Sequence, residues 1–259
     1  MDEAEPVRLT VGHDERAREV AVARRRGRSP GLFWLGGFRS DMTGSKATAA
    51  DALAARRGRA AVRFDYSGHG QSGGRFEEGT IGRWLEEAVA VFDRFAQGPQ
   101  IVIGSSMGGW IALLLAEALR GSGRIGGLIL IAPAVDMTEA LIWNALDEAQ
   151  REELMSTGIL RVPSAYADEP DVITRDLIED GRTHLFGDRL IETGCPVHIL
   201  QGVVDAEVPW RVASDLVARL ASEDVVLTLV KDGDHRLSRP QDIERLEAAL
   251  TAMVAEIGK

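Results

Sequence analysis

The chain has 259 residues, with 30 lysines and arginines against 40 aspartates and glutamates, a formal net charge of −10. That length suits one α/β domain with room for an insertion, and the negative balance disfavours nucleic acid or an anionic membrane surface as a partner. The single cysteine, Cys195, excludes a disulfide framework and a thiolate metal cluster, no run approaches a membrane span, and the acidic start Met1-Asp2-Glu3-Ala4-Glu5 shows neither a secretory signal nor an Arg-rich leader, so the expected compartment is the cytoplasm.

In chain order, residues 8–11 and 20–23 read as two early strands. The basic run Arg24-Arg25-Arg26-Gly27-Arg28 follows them and precedes Ser29-Pro30-Gly31, so it reads as a solvated hairpin turn. Residues 32–35 form a third apolar run, which leads into Gly36-Gly37-Phe38, and residues 60–64 form a fourth. Behind the fourth run, Gly68-His69-Gly70-Gln71-Ser72-Gly73 fits a dinucleotide-binding Gly-x-Gly-x-x-Gly pattern. Such a site needs a helix that opens within the glycines. Here Gly74-Arg75-Phe76-Glu77-Glu78-Gly79 delays the helix to Thr80, and the unit is not the first strand–helix–strand of the chain, so that reading is rejected. Ile81, Leu85, Ala88, Val89, Phe92 and Phe95 then recur at helical spacing behind Thr80, a natural cap.

Residues 101–103 are a β-branched run that passes straight into Gly104-Ser105-Ser106-Met107-Gly108 and then into the apolar helical stretch Trp110-Ile111-Ala112-Leu113-Leu114-Leu115-Ala116. A Gly-x-Ser-x-Gly between strand and helix reads as a tight turn that holds Ser106 above the sheet edge, at the positive end of the helix. Residues 128–131 are a further strand. The interval 135–194 is far longer than an ordinary connection. It is expected to form a helical lid, with short helices near 139–146, 148–155 and 171–179 and breaks at Pro163 and Pro170. Residues 197–200 and 225–230 complete the strands, with a helix behind Pro209 carrying Val212, Leu216 and Leu220. The expected architecture is a mostly parallel, twisted, eight-stranded α/β sheet with helices on both faces. It divides into core residues 1–134, lid residues 135–194 and core residues 195–259.

A serine becomes a nucleophile only beside a base that a third group orients. Of the five histidines, His235 alone follows the last strand and lies behind an acid placed after an earlier strand. His13, His69, His184 and His198 read as surface or structural residues. Asp205, in Gln201-Gly202-Val203-Val204-Asp205, is the preferred acid, and Glu207 its competitor. Backbone donors for a developing oxyanion are expected at Met107, directly after the serine, and at Phe38 in the Gly36-Gly37 loop. Gly37, Trp110, Leu141, Trp143 and Leu146 are candidate contacts for an acyl chain. No cofactor or metal is called for by this set.

These features resemble the α/β-hydrolase superfamily over nearly the whole chain. Within it, Arg63-Phe64-Asp65-Tyr66-Ser67-Gly68, Gly104-Ser105-Ser106-Met107-Gly108-Gly109-Trp110, Val208-Pro209-Trp210 and Asp234-His235-Arg236 are similar to the branch of mitochondrial α/β-hydrolase-domain depalmitoylases, also described as mycophenolic acid acyl-glucuronide esterases, and their bacterial relatives. The resemblance implies an α/β-hydrolase fold with a short helical cap and a Ser106, Asp205, His235 triad. Its implied substrates are small-molecule or acylated-protein esters and thioesters. A carbon–carbon bond hydrolase, a peptidase, or a non-catalytic binding protein on the same scaffold are the alternatives; the first two would use the same triad.

Overall fold

Apolar runs too short to be helices form one eight-stranded sheet in the computed structural model, which describes residues 4–163 and 170–257. Residues 1–3, 164–169 and 258–259 of the expected core and lid segments lie outside the described residues. The strands are β1 (Glu5–Val11), β2 (Arg18–Arg25), β3 (Arg28–Leu35), β4 (Arg59–Phe64), β5 (Gln100–Ser105) and β6 (Ile125–Ile131). A short pair, β7 (Ile159–Val162) and β8 (Asp171–Thr174), precedes β9 (Val197–Gly202) and β10 (Val225–Val230). The main sheet runs β1-β2-β4-β3-β5-β6-β9-β10, antiparallel at β1/β2 and β2/β4 and parallel elsewhere.

This order corrects the expected turn at Arg24 to Arg28. β4 lies between β2 and β3, so the basic run carries the chain past β4 instead of closing a hairpin. Its arginines are accounted for locally: Arg25 pairs with Asp51 at 2.8 Å, and Arg26 lies 3.8 Å from Glu5.

Register sends alternate residues to opposite faces. Phe33 stands beside Val62 on β4 and Val102 on β5, and all three face one side. That side is covered by α2 (Ile81–Phe95), α3 (Met107–Ala118) and α6 (Trp210–Arg219), through Trp84, Phe92, Ile111 and Leu216. Leu32, Ile101, Ile103 and Ile129 face the other way, against α1 (Ser45–Arg56) and α7 (Pro240–Ile257). Each fully buried side chain of this size contributes about 1.5–3 kcal/mol. α2 starts where Thr80 Oγ1 accepts from Arg83 N at 3.2 Å, which satisfies one orphan donor of the first turn. On its buried face Glu87 is fully enclosed, ion-paired with Arg18 and accepting from Ser67 N at 2.8 Å.

The interval 135–194 contains more strand than expected. A π-helical turn over Thr138–Ile142 runs into a 3₁₀ turn over Trp143–Ala145, followed by α4 (Glu148–Thr157) and, after the β7/β8 pair, α5 (Arg175–Arg182). Asp171–Thr174 is β8, so the helix expected near 171–179 begins four residues late. Val172, Ile173 and Thr174 are β-branched and pair with β7, while the Thr174 side chain caps α5 by accepting from Leu177 N at 3.1 Å. Leu146, Leu154, Leu160, Ile173 and Ile178 form a separate small cluster. Phe38 and Ile142 pack against both this cluster and the main core. No described helix is long and apolar enough to cross a membrane.

Candidate active site

The turn after β5 is the most constrained point of the backbone. Ser106 has φ 53° and ψ −120°, a region L-residues avoid, at a cost of about 1–3 kcal/mol. Three hydrogen bonds hold it there: Ser106 N donates to Ile131 O at 2.9 Å, while its carbonyl accepts from Gly109 N at 2.8 Å and Ala134 N at 3.1 Å. The flanking glycines make the turn possible. A Cβ on Gly104 would lie 2.3 Å from Gly108 O, and one on Gly108 would lie 2.2 Å from Leu35 O. Met107 is the first residue of α3, so its N–H belongs to the helix-terminal donors that no carbonyl within the helix can accept.

Two loops at the same end of the sheet bring the remaining groups in. The loop after β9 is stitched to the loop after β10 by Val203 N→Val230 O at 2.9 Å and Val204 N→Gly233 O at 3.0 Å. The second loop is clamped further by Leu237 N→Asp234 Oδ1 at 2.9 Å, and the Lys46 ammonium donates to Arg236 O. His235 Nε2 then lies 3.0 Å from Ser106 Oγ, and His235 Nδ1 lies 2.8 Å from Asp205 Oδ2.

Asp205 is buried and saturated with donors. Oδ1 accepts from Glu207 N at 2.9 Å and Val208 N at 2.8 Å; Oδ2 accepts from Gln201 Nε2 at 3.0 Å as well as from His235. Burial alone would raise its pKa. The hydrogen bond from His235, the Val208 N–H, the charge of His235 and the Glu207 N–H outweigh that, and the net shift is downward. The carboxylate is therefore kept ionised, and the Nδ1 hydrogen of the imidazole is held on its side, which leaves Nε2 free to accept from the serine hydroxyl.

Glu207, the competing acid, occupies a different place. Its Oε2 is 3.6 Å from Nε2, the serine-facing nitrogen, with a 39% exposed side chain, and burial raises its pKa. Gln201 was not singled out from sequence, although a fully buried glutamine closing an apolar strand is the signal that could have found it. It donates to Asp205, Val208 O and Gly202 O.

The other expected residues are placed as follows. Gly37 lies against the turn: a Cβ on it would be 3.3 Å from both Ser105 O and Ser106 Cβ. Phe38 is half-buried, edge-on to Phe76 at 4.9 Å. Trp110 is fully buried in the main core, and Leu141 packs against that core. Trp143 lies under the guanidinium groups of Arg182 at 4.6 Å and Arg151 at 5.2 Å, and Leu146 is in the small cluster. A cleft of about 660 Å³, lined by residues including Arg16, Arg75, Glu78, Arg83 and Arg175, shares no residue with this centre. Among the described residues, no group of three or more His, Cys, Asp or Glu side chains is placed to hold a metal ion. The arrangement can deliver a serine oxygen to an electrophile and take up its proton.

Comparison with known proteins agrees in fold and in sequence. Residues 37–178 match the family model described as serine aminopeptidase, S33. The human mitochondrial palmitoyl-protein thioesterase ABHD10 is 34% identical over 239 residues, which covers 92% of this chain and 77% of that protein. Among solved structures, a putative hydrolase from Agrobacterium vitis S4 superposes with a TM-score of 0.94 at 52% identity, over 97% of this chain and 99% of that one. Mouse α/β hydrolase domain-containing protein 10 superposes at 0.89 with 33% identity, over 98% of this chain and all of that one (100%).

Proposed function

This chain belongs to the α/β-hydrolase family, and on that footing we propose that it is a serine hydrolase that cleaves thioesters and carboxylic esters of acyl chains. The observation that carries the reading is the unbroken hydrogen-bonded line from Ser106 Oγ through His235 to Asp205, at 3.0 and 2.8 Å. In the proposed reaction Ser106 Oγ attacks the acyl carbon as His235 Nε2 takes its proton. The N–H groups of Phe38 and Met107 stabilise the oxyanion that forms, an effect of about 2.7–4 kcal/mol per donor. Collapse of the tetrahedral adduct breaks the bond to the thiol or alcohol, which leaves with the proton from His235. Water, deprotonated by His235, then attacks the acyl-enzyme and releases the acid.

The relatives named as palmitoyl-protein thioesterases point to S-acylated proteins as the first substrate class to examine. Residues 135–194 are proposed as the lid over the acyl chain, with Leu141, Trp143 and Leu146 as its contacts and Gly37 on the core side; Trp110, expected there from sequence, is wholly buried and is left to core packing. The aminopeptidase description of the matching family model keeps a peptidase reading in view. Amide nitrogen is a much poorer leaving group than thiolate, so amide hydrolysis is expected to be slow.

The test is labelling by a fluorophosphonate, followed by turnover of p-nitrophenyl esters and S-acyl cysteine peptides of graded chain length. Wild type should label and turn over, while Ser106→Ala should do neither. Labelling that persists in Ser106→Ala, or amide turnover that exceeds ester and thioester turnover, overturns the reading.

A further inference from the structure

We infer that His69 is a positioning residue for the oxyanion loop, acting as the hydrogen-bond acceptor that fixes the peptide beyond Phe38. The inference rests on the reading of Phe38 N–H as an oxyanion donor. It gives a task to the Gly68-His69-Gly70 segment, which fits no dinucleotide site.

Residues 36–42 lie between β3 and α1 in neither helix nor strand, so little of their geometry is fixed by a ladder. Arg63 Nη1 on β4 donates to Met42 O at 2.7 Å, and two further contacts come from the segment after β4. Arg39 N donates to His69 Nε2 at 3.1 Å, and Met42 N donates to Asp65 Oδ1 at 2.6 Å. Asp65 Oδ2 in turn accepts from Gln71 N at 2.7 Å, which ties the two segments together. Ser40 N closes a local turn on Gly37 O at 3.1 Å; of the contacts that reach the loop from outside, the one to Arg39 lies nearest in sequence to the proposed donor, because Arg39 N belongs to the Phe38–Arg39 peptide. Arg39 itself sits at φ +57°, a left-handed conformation that a non-glycine residue keeps only where its surroundings insist on it.

His69 is built for this role and for little else. It is 4% exposed, in a box of Tyr66, Phe76 and Trp84 with ring centroids at 5.9, 5.1 and 5.3 Å. Its Nδ1 faces Ser67 O at 3.2 Å, so Nδ1 carries the hydrogen and Nε2 is left as an acceptor. Burial lowers its pKa to about 4. The ring thus remains a neutral acceptor through the range in which a serine hydrolase works. The side chain of Arg39 is committed elsewhere, donating to Pro170 O at 3.0 Å and Asp171 Oδ1 at 2.9 Å. It cannot replace the backbone contact.

The experiment compares His69→Phe, which keeps the ring and removes the acceptor, with His69→Gln, whose amide oxygen reaches the Nε2 position. With the acceptor gone, kcat on a p-nitrophenyl ester should fall about 10- to 100-fold while KM moves less than about threefold. The inhibition constant of an acyl trifluoromethyl ketone, which forms an oxyanion on Ser106, should rise by the same factor as kcat/KM falls. His69→Gln should recover most of both. If His69→Phe does not accumulate as folded protein, His69→Gln and His69→Asn carry the test, since only the longer amide reaches Arg39 N. Equal kcat in Gln and Phe, or in Gln and Asn, overturns the inference, as does a ketone affinity that does not change. Ser106→Ala run in parallel separates the two levels. Activity retained there defeats the serine-hydrolase reading itself, whereas an inactive Ser106→Ala beside a fast His69→Phe defeats only the role of His69.

Discussion

Replacing Asp205 by Asn changes one atom and sets two hydrogen-bond demands against each other. The side chain receives two backbone N–H groups on Oδ1, at 2.9 and 2.8 Å, and two side-chain donors on Oδ2, at 3.0 and 2.8 Å. An Asn keeps its oxygen on the backbone side, because those N–H groups cannot turn away, and its NH₂ then faces Gln201 and His235. The imidazole must answer by presenting a bare Nδ1, which moves its hydrogen to Nε2, where it confronts the Ser106 hydroxyl 3.0 Å away. In that tautomer His235 has no lone pair for the serine proton. The same change in another serine triad costs about 10⁴ in rate, and we expect about 10³–10⁴ here, which is about 4–5.5 kcal/mol of transition-state stabilisation. The assay is single-turnover release of p-nitrophenol, with thermal melting to show that the fold persists. A Glu207→Gln control should change the rate by less than about threefold, since that carboxylate lies on the other nitrogen and is 39% exposed. Retention of more than about a tenth of wild-type rate in Asp205→Asn, or a larger loss in Glu207→Gln, would refute the assignment.

Two further predictions concern the frame. Gly104→Ala would drive a methyl group to within 2.3 Å of Gly108 O and 2.8 Å of Gly109 Cα. It should destabilise the protein by at least about 1–3 kcal/mol in a denaturant melt and abolish fluorophosphonate labelling; wild-type labelling would mean the turn is far more pliable than described. Asp242 is 2% exposed, and although burial would raise its pKa, the hydrogen bonds and charges of Arg239 and Arg245 outweigh that and hold it low. A folded-state pKa below the unfolded value of about 3.9 stabilises fully above that value and is lost as pH falls through the folded one. Asp242→Asn should therefore melt below wild type at pH 7, with the gap closing in the acid range; a gap independent of pH would rule out an ionic origin.

Much of the fold is legible in the sequence because each strand of the main sheet is a short apolar run bounded by turn residues, and α2 announces itself through Thr80 and its buried stripe. What is not legible is order. Nothing local in Arg18–Arg25 or Arg28–Leu35 records that Arg59–Phe64 comes between them, since pairing is decided by contacts across dozens of residues. Asp171–Thr174 is too short to display a period of two, and its β preference shows only once its partner at Ile159–Val162 is known. At the candidate site, Ser106, Asp205 and His235 stand out because a motif and two loop positions mark them. Asp65 and His69 do not, because a buried acceptor or donor has no pattern of its own, and Gln201 is marked only by its place at the end of an apolar strand. Trp110 shows the converse limit, as an aromatic residue beside the turn that lies wholly in the core.

Phe38 packs against two hydrophobic clusters, the main core and the small one formed by Leu146, Leu154, Leu160, Ile173 and Ile178, and it follows Gly37, which lies against the turn that carries Ser106. In the proposed reaction, selectivity and speed would thus share a mechanical part. On the proposed lid and oxyanion roles, remodelling the cap for longer or shorter chains would retune turnover in the same stroke. Compensating substitutions belong at Phe38 and Ile142, the two side chains that pack against both clusters among the described residues.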